Sequence, residues 1–233
     1  MEKLLDEIES YWNTRTEGYS EVNHKELAGT QKNAWLKLLT SYFPDRPKEE
    51  IRILDIGTGP GFFPVILAEA GYKIDAVDYT EGMLEKAKEN AGELCKNIHF
   101  QRMDAQKLEF ADNTFDIVIS RNLTWNLEHP DIAYSEWVRV LKAGGRLLNF
   151  DANWYGYLYE NDRKNVESNS LDDHYLCTDI ERMERIALQV PLSKIHRPQW
   201  DVKTLRNTGL MGIHTDTEIW KTVWSEEERL NYQ

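Results

Sequence analysis

Ile53-Leu54-Asp55-Ile56-Gly57-Thr58-Gly59-Pro60-Gly61 is the stretch that decides how this chain folds. A short apolar run carries one acid, Asp55, and glycines follow at alternate positions, Gly57, Gly59 and Gly61. Phe62 to Ala68 is then apolar throughout. The pattern reads as a strand, a tight turn and a helix N-terminus. That layout holds a nucleotide-like ligand at the carboxyl edge of an α/β sheet, where backbone amides and the helix dipole face it. Glycine suits such a turn because a side chain would hold the ligand off the backbone, and because tight turns often ask for positive φ. The spacing, G-x-G-x-G, is one residue short of the dinucleotide fingerprint G-x-G-x-x-G.

An acid two residues ahead of three alternate glycines resembles the first motif of the class I S-adenosylmethionine (SAM) dependent methyltransferases of the small-molecule, methyltransferase-11-like type. The chain downstream keeps to the same order. Lys73 to Val77 reads as a second strand closed by Asp78. A carboxylate there can accept hydrogen bonds from both ribose hydroxyls, a feature that NAD sites share. Thr80-Glu81-Gly82-Met83-Leu84 opens a helix, in which Met83 either packs an adenine face with its polarizable thioether or is ordinary core. A third strand, Ile98 to Met103, ends at Asp104-Ala105. There the resemblance implies an acid on the adenine amino group and a backbone amide against the ring. Phe115 to Ser120 is nearly continuously apolar, as suits a strand buried on both faces. Glu136-Trp137-Val138-Arg139-Val140-Leu141-Lys142-Ala143-Gly144-Gly145 is expected to end a helix on a glycine cap. Arg146 to Phe150 follows as strand five. This corner also resembles the family's, with Ala143 where Pro is usual. The resemblance covers residues 51 to 151.

It implies an α/β, Rossmann-like, seven-stranded and mostly parallel sheet with an antiparallel last strand and helices on both faces. One methyltransferase domain then spans 1–233. It divides into an N-terminal helical lid (1–45), a SAM-binding core (46–151), a small cap insertion after strand five (152–200), and closing strands with a tail (201–233). His24 to Phe43 reads as one helix with a core stripe at Leu27, Trp35, Leu38, Leu39 and Tyr42. Thr178 to Leu188 also reads as helical. Gly209 to His214 and Glu218 to Trp224 are expected to form strands six and seven, the closing hairpin.

By the same resemblance the cofactor residues are Asp55, Gly57, Thr58, Gly59 and Gly61 at the turn, then Asp78, Tyr79, Met83, Asp104, Ala105 and Arg121. Tyr11 and Tyr19 come from the lid, with Arg15 placed to meet the cofactor carboxylate. Ligands sit outside the carboxyl ends of the strands. The loops after strands four and five therefore offer Asn122, Thr124, Trp125, Asn153 and Trp154 to the methyl acceptor. The alternative is that Trp125 packs and Asn122 caps a helix. Asp151 either holds a proton-accepting group or is a simple strand-end acid. His174 is a candidate base, as are His196 and His129. Tyr155, Tyr157, Tyr159, Tyr175 and Trp200 suit an apolar or aromatic acceptor, and also a cationic amine.

With 233 residues, 41% hydrophobic and 29% charged, the chain is large enough for one such domain. A formal charge of −12 disfavours nucleic acid and anionic membranes, which need clustered Lys and Arg. Cys95 and Cys177 are too few for a disulfide framework, and no ligand set for a metal stands out around His174 and Cys177. The acidic N-terminus lacks the basic region of a signal peptide, and the expected location is cytoplasmic. The expected activity is methyl transfer from SAM to a small-molecule acceptor, releasing S-adenosylhomocysteine (SAH), by a monomer or homodimer. A SAM-binding regulator is the alternative outside enzymes. An NAD(P)-dependent oxidoreductase is the alternative within them. Against the second stand the glycine spacing and the absence of any Tyr followed four residues later by Lys.

Overall fold

The computed structural model describes residues 3–159 and 179–224. Its centre is a parallel sheet of β1 (Ile53–Ile56), β2 (Ile74–Asp78), β3 (Ile98–Arg102), β4 (Phe115–Arg121) and β5 (Leu141–Phe150), in the order β3-β2-β1-β4-β5. The helices are α1 (Leu4–Ala28), α2 (Gln31–Ser41), α3 (Phe62–Glu69), α4 (Glu81–Ala91), α5 (Pro130–Val140), α6 (Ile180–Ala187), α7 (Gln199–Asn207) and α8 (Trp220–Val223). None of the described helices is long and apolar enough to cross a membrane.

Alternation along the strands sorts side chains to two faces. Ile53, Ile117 and Ile119 join Trp35, Leu39, Phe62, Phe63 and Ile66 under α2 and α3. Leu54, Ile56 and Val118 join Tyr134, Trp137 and Leu205 under α5 and α7. With both faces covered, the apolar run of β4 is buried from Phe115 to Ser120. Strand order reverses between β1 and β4, which opens a crevice at their carboxyl ends. A third cluster joins Ile8 and Tyr11 of α1 to Trp125, Met183, Ile186 and Val190.

Four expectations are corrected. The described sheet has five strands rather than seven, with no antiparallel last strand among them. Gly209 and Gly212 sit at positive φ, 87° and 66°, so Gly209 to His214 cannot run extended. Trp220, Val223 and Trp224 fall at helical spacing, and α8 buries Val223 beside α2 in the core. The helix expected over His24 to Phe43 is broken at Gly29–Thr30 into α1 and α2. The glycine cap at Gly144 is instead part of an irregularity in β5. α5 ends at Val140, Leu141 already pairs with Phe115, and the register shifts before Ile117 meets Arg146. The E-x-x-R of that corner is a clasp: Glu136 accepts from the Leu108 amide, and Arg139 donates to the Leu108 and Phe110 carbonyls.

Candidate functional site

The glycine turn is built as its spacing requires. Gly57, Gly59 and Gly61 have φ of 70°, 52° and 92°. A Cβ on Gly57 would stand 2.7 Å from the Leu123 side chain, so this position has room for backbone only. Gly61 instead lets α3 approach α4, where an added Cβ would meet that of Ala87 at 3.1 Å. Asp78 fastens the turn: it accepts from the Gly59 amide at 2.8 Å and from the Thr80 amide at 2.9 Å.

Two compartments flank the turn and share Gly57. The first is lined by Asp55, Thr58, Gly59, Arg121, Asn122 and, from α1, Tyr19 and Glu26. The second, with ≈ 590 Å³ of open space, is lined by Asp78, Tyr79, Met83, Asp104, Ala105 and Asn126, and by Leu5, Ile8, Glu9 and Trp12 of α1. Helix α1 therefore roofs both. It is tied down by Glu9 to Arg102 at 2.7 Å, Glu17 to Lys86 at 2.9 Å, and a two-pronged pair of Glu26 with Arg121.

The electrostatics single out Asp55. Its side chain is buried, and burial pushes its carboxyl up to about 7 from 3.8; the Thr58 hydroxyl and the Arg121 charge oppose this, and Asp78 adds to it. Asp78 is also raised by burial, against the amide bonds that favour its charge. Burial works against the charge of Arg121, yet Glu26 raises its pKa above the ordinary range. The Arg121 guanidinium lies over the rings of Phe62 and Trp35 at 5.0 and 5.2 Å. The Asn126 Oδ1 is buried without a hydrogen-bond partner.

The expected cofactor residues thus converge, apart from Gly61, which serves helix packing, Tyr11, which is buried in the α1–α6 cluster and lines neither compartment, and Arg15. Arg15 is buried on α1 and also lines neither. The expected acceptor residues are not brought together. Asn122 faces the first compartment. Trp125 stacks on Tyr155 at 5.1 Å and packs under α1 and α6. Asn153 and Trp154 are exposed and line neither compartment.

Asp151 is not a free base. It pairs with Arg197 at 2.9 Å and accepts hydrogen bonds from the Trp125 amide at 3.0 Å and from the Thr124 hydroxyl. Arg197 also holds Asp201 at 2.6 Å, and Asp201 accepts from Tyr134. Burial works against the guanidinium charge, but Asp201 and Asp151 raise its pKa above the ordinary range. Sequence reasoning missed Arg197, Asp201 and Tyr134, because nothing in the spacing links them to the loop after β4. It also missed Glu26 and Asn126. His129 and His196 are exposed, and neither lines a compartment. His174, Tyr175 and Cys177 lie outside the described residues.

The family model of a methyltransferase domain matches residues 54–149. The demethylmenaquinone methyltransferase of Bacteroides fragilis is 30% identical over 150 residues, which is 63% of this chain and 60% of that protein. The ubiquinone/menaquinone biosynthesis C-methyltransferase UbiE of Desulfotalea psychrophila is 30% identical over 154 residues, 65% of this chain and 57% of that one. The chain thus spans about 60% of the length of the curated relatives it matches. Among solved structures, one from Methanococcus maripaludis, described as a candidate S-adenosyl-L-methionine-dependent methyltransferase, superposes with a TM-score of 0.58. It is 20% identical, and the match covers 87% of this chain and 85% of that one; at that identity the likeness is one of fold.

Proposed function

We propose that the protein is a SAM-dependent methyltransferase that transfers a methyl group to a small-molecule acceptor, a reading supported by the match of residues 54–149 to a methyltransferase-domain family model. The observation that carries this is the pair of compartments meeting at Gly57, one with the acid and hydroxyl groups an amino acid needs, the other with the acids and apolar faces a nucleoside needs. The residues fit the group: Asp55 is a buried carboxylate in a compartment that also offers the Thr58 hydroxyl, and at Gly59 an added Cβ would meet only the Tyr19 ring, at 3.6 Å. In this reading Asp55 receives the ammonium of the methionine half. Asp78 receives the ribose hydroxyls on its remaining lone pairs. Met83 and Ala105 flank the adenine, and Asp104 takes its amino group.

SAM supplies a methyl carbon activated by a positive sulfur; with a neutral acceptor the products are SAH, the methylated acceptor and a proton. The chain's work is to hold two reactants in near-attack geometry and keep water out. Helix α1 shields both compartments. The Asp151–Arg197 pair fixes the loop after β4, which spans from Asn122 in one compartment to Asn126 in the other. In this division the lid is 1–45, the core 46–151 and the cap 152–200, and the cap chooses the acceptor. Quinone precursors, named by the relatives, are the first acceptors to try, since the cap carries the aromatic residues Tyr155 and Tyr157.

The test is incubation with methyl-labelled SAM and a panel of demethylated quinones, phenols and amines. Label in a small-molecule product with matching SAH supports the proposal. SAM binding without turnover on any acceptor would favour the regulator.

A further inference from the structure

We propose that Glu26 of α1 competes with the carboxylate of SAM for Arg121, so that this pair sets how strongly the site prefers a cofactor that carries a carboxylate. The inference rests on the cofactor reading above. The methionine half of SAM bears an ammonium and a carboxylate, and Asp55 answers only the first. Among the described residues, Arg121 is the one Lys or Arg that lines either compartment, and it lines the first beside Asp55, Thr58 and Gly59. Arg15, the expected partner of the carboxylate, lines neither. The carboxylate therefore falls to Arg121.

That guanidinium already has a partner. Its two terminal nitrogens donate to the two carboxylate oxygens of Glu26, one of them at 3.1 Å. The side chains of Arg121 and Glu26 are 22% and 15% exposed, so salt and water screen the pair weakly. The rings of Phe62, Phe63 and Trp35 also face Arg121, within 5.8 Å, but they bring no counter-charge. Glu26 lies in the last turn of α1, where the helix dipole disfavours an acid, so its gain comes from Arg121. Glu26 itself lines the first compartment. A second carboxylate arriving there gains little from a guanidinium whose charge is balanced, and it is repelled by Glu26.

SAM and decarboxylated SAM share the ammonium and the sulfonium and differ in the carboxylate alone. The ratio of their affinities therefore isolates that group, because any effect of Glu26 on the two cationic groups cancels. Removing one negative charge about 8 Å from the ligand carboxylate, through an effective dielectric of about 40, favours it about fivefold.

Calorimetric titration with both ligands, on the wild type, Glu26→Gln and the double variant Glu26→Gln/Arg121→Gln, tests this. In Glu26→Gln the preference for SAM over decarboxylated SAM should rise about fivefold. In the double variant the pair is neutral again, and the preference should return to the wild-type value. An unchanged preference in Glu26→Gln overturns the inference. So does an equal weakening of both ligands, which would give Glu26 to the ammonium or to the seating of α1. A gain that survives in the double variant overturns it as well, because the carboxylate then does not meet Arg121. If Glu26→Gln does not fold, Glu26→Asp draws the counter-charge back by one methylene and should raise the preference in the same direction; no rise there is the overturning result. Each of these outcomes leaves the cofactor reading standing. Binding of neither ligand by the folded wild type removes both.

Discussion

Replacing Asp55 by Asn should stabilise the empty protein while removing its grip on SAM. The buried carboxyl has a pKa of about 7 against 3.8 when unfolded. The sign follows from proton counting. Between those values the native state keeps a proton that the unfolded chain has released, so wild-type stability falls as pH rises through that window and levels off above 7. At 1.36 kcal/mol per unit, the penalty is about 2 kcal/mol at pH 5 and about 4 kcal/mol at pH 8. Asn has the same shape and no charge to bury. Its advantage over Asp should therefore grow by about 2–3 kcal/mol from pH 5 to pH 8, equivalent to a Tm gap widening by about 5–10 °C for a chain of this size. Urea unfolding of both proteins at the two pH values reads this directly. The same Asn variant should lose most of the thermal protection that SAM gives, because the ammonium no longer meets a carboxylate. A gap that does not change with pH, or an Asn variant weaker than wild type at pH 8, would refute the reasoning.

Asp78→Ala should weaken SAM binding by roughly 1.5–3 kcal/mol, the scale of hydrogen bonds to a charged group; unchanged affinity by calorimetry, in a protein whose melt shows it folded, would remove the ribose assignment. Arg197→Met leaves Asp151 and Asp201 buried without their cation and should cost about 3–5 kcal/mol of stability in urea; a loss below about 1 kcal/mol would mean the cluster is not tightly coupled. Trp154 is 49% exposed and lines neither compartment, so Trp154→Ala should leave SAM affinity within about twofold, the range of surface substitutions. Its effect should fall on acceptor use, and loss of SAM binding in a folded variant would mean the two halves of the site are misdrawn.

The first three strands were legible because an acid or glycine follows each, and the fourth because it is nearly continuously apolar from Phe115 to Ile119. Gly57, Asp78 and Asp104 could be placed from that alone. The closing strands were misread for a physical reason. A short mixed stretch such as Trp220–Val223, with apolar residues only at its ends, can be read as a strand or as one helical turn, and only its partner decides. Trp125 shows a second limit. Its loop could be located from sequence, but whether its ring enters the cavity or packs on Tyr155 depends on contacts from α1 and α6. Arg197 shows a third: its three partners come from the loop after β5, from α5 and from α7, and no local pattern links them. Helix α1 was expected as a lid, yet that it spans both compartments follows only from the structure.

The most direct test of the account is a crystal structure of the protein grown with SAM. The account predicts one ligand across the Gly57 turn, its ammonium at Asp55, its ribose at Asp78 and its adenine between Met83 and Ala105 with the amino group on Asp104. SAM bound elsewhere, or the methionine half seated in the Met83 compartment, would contradict it.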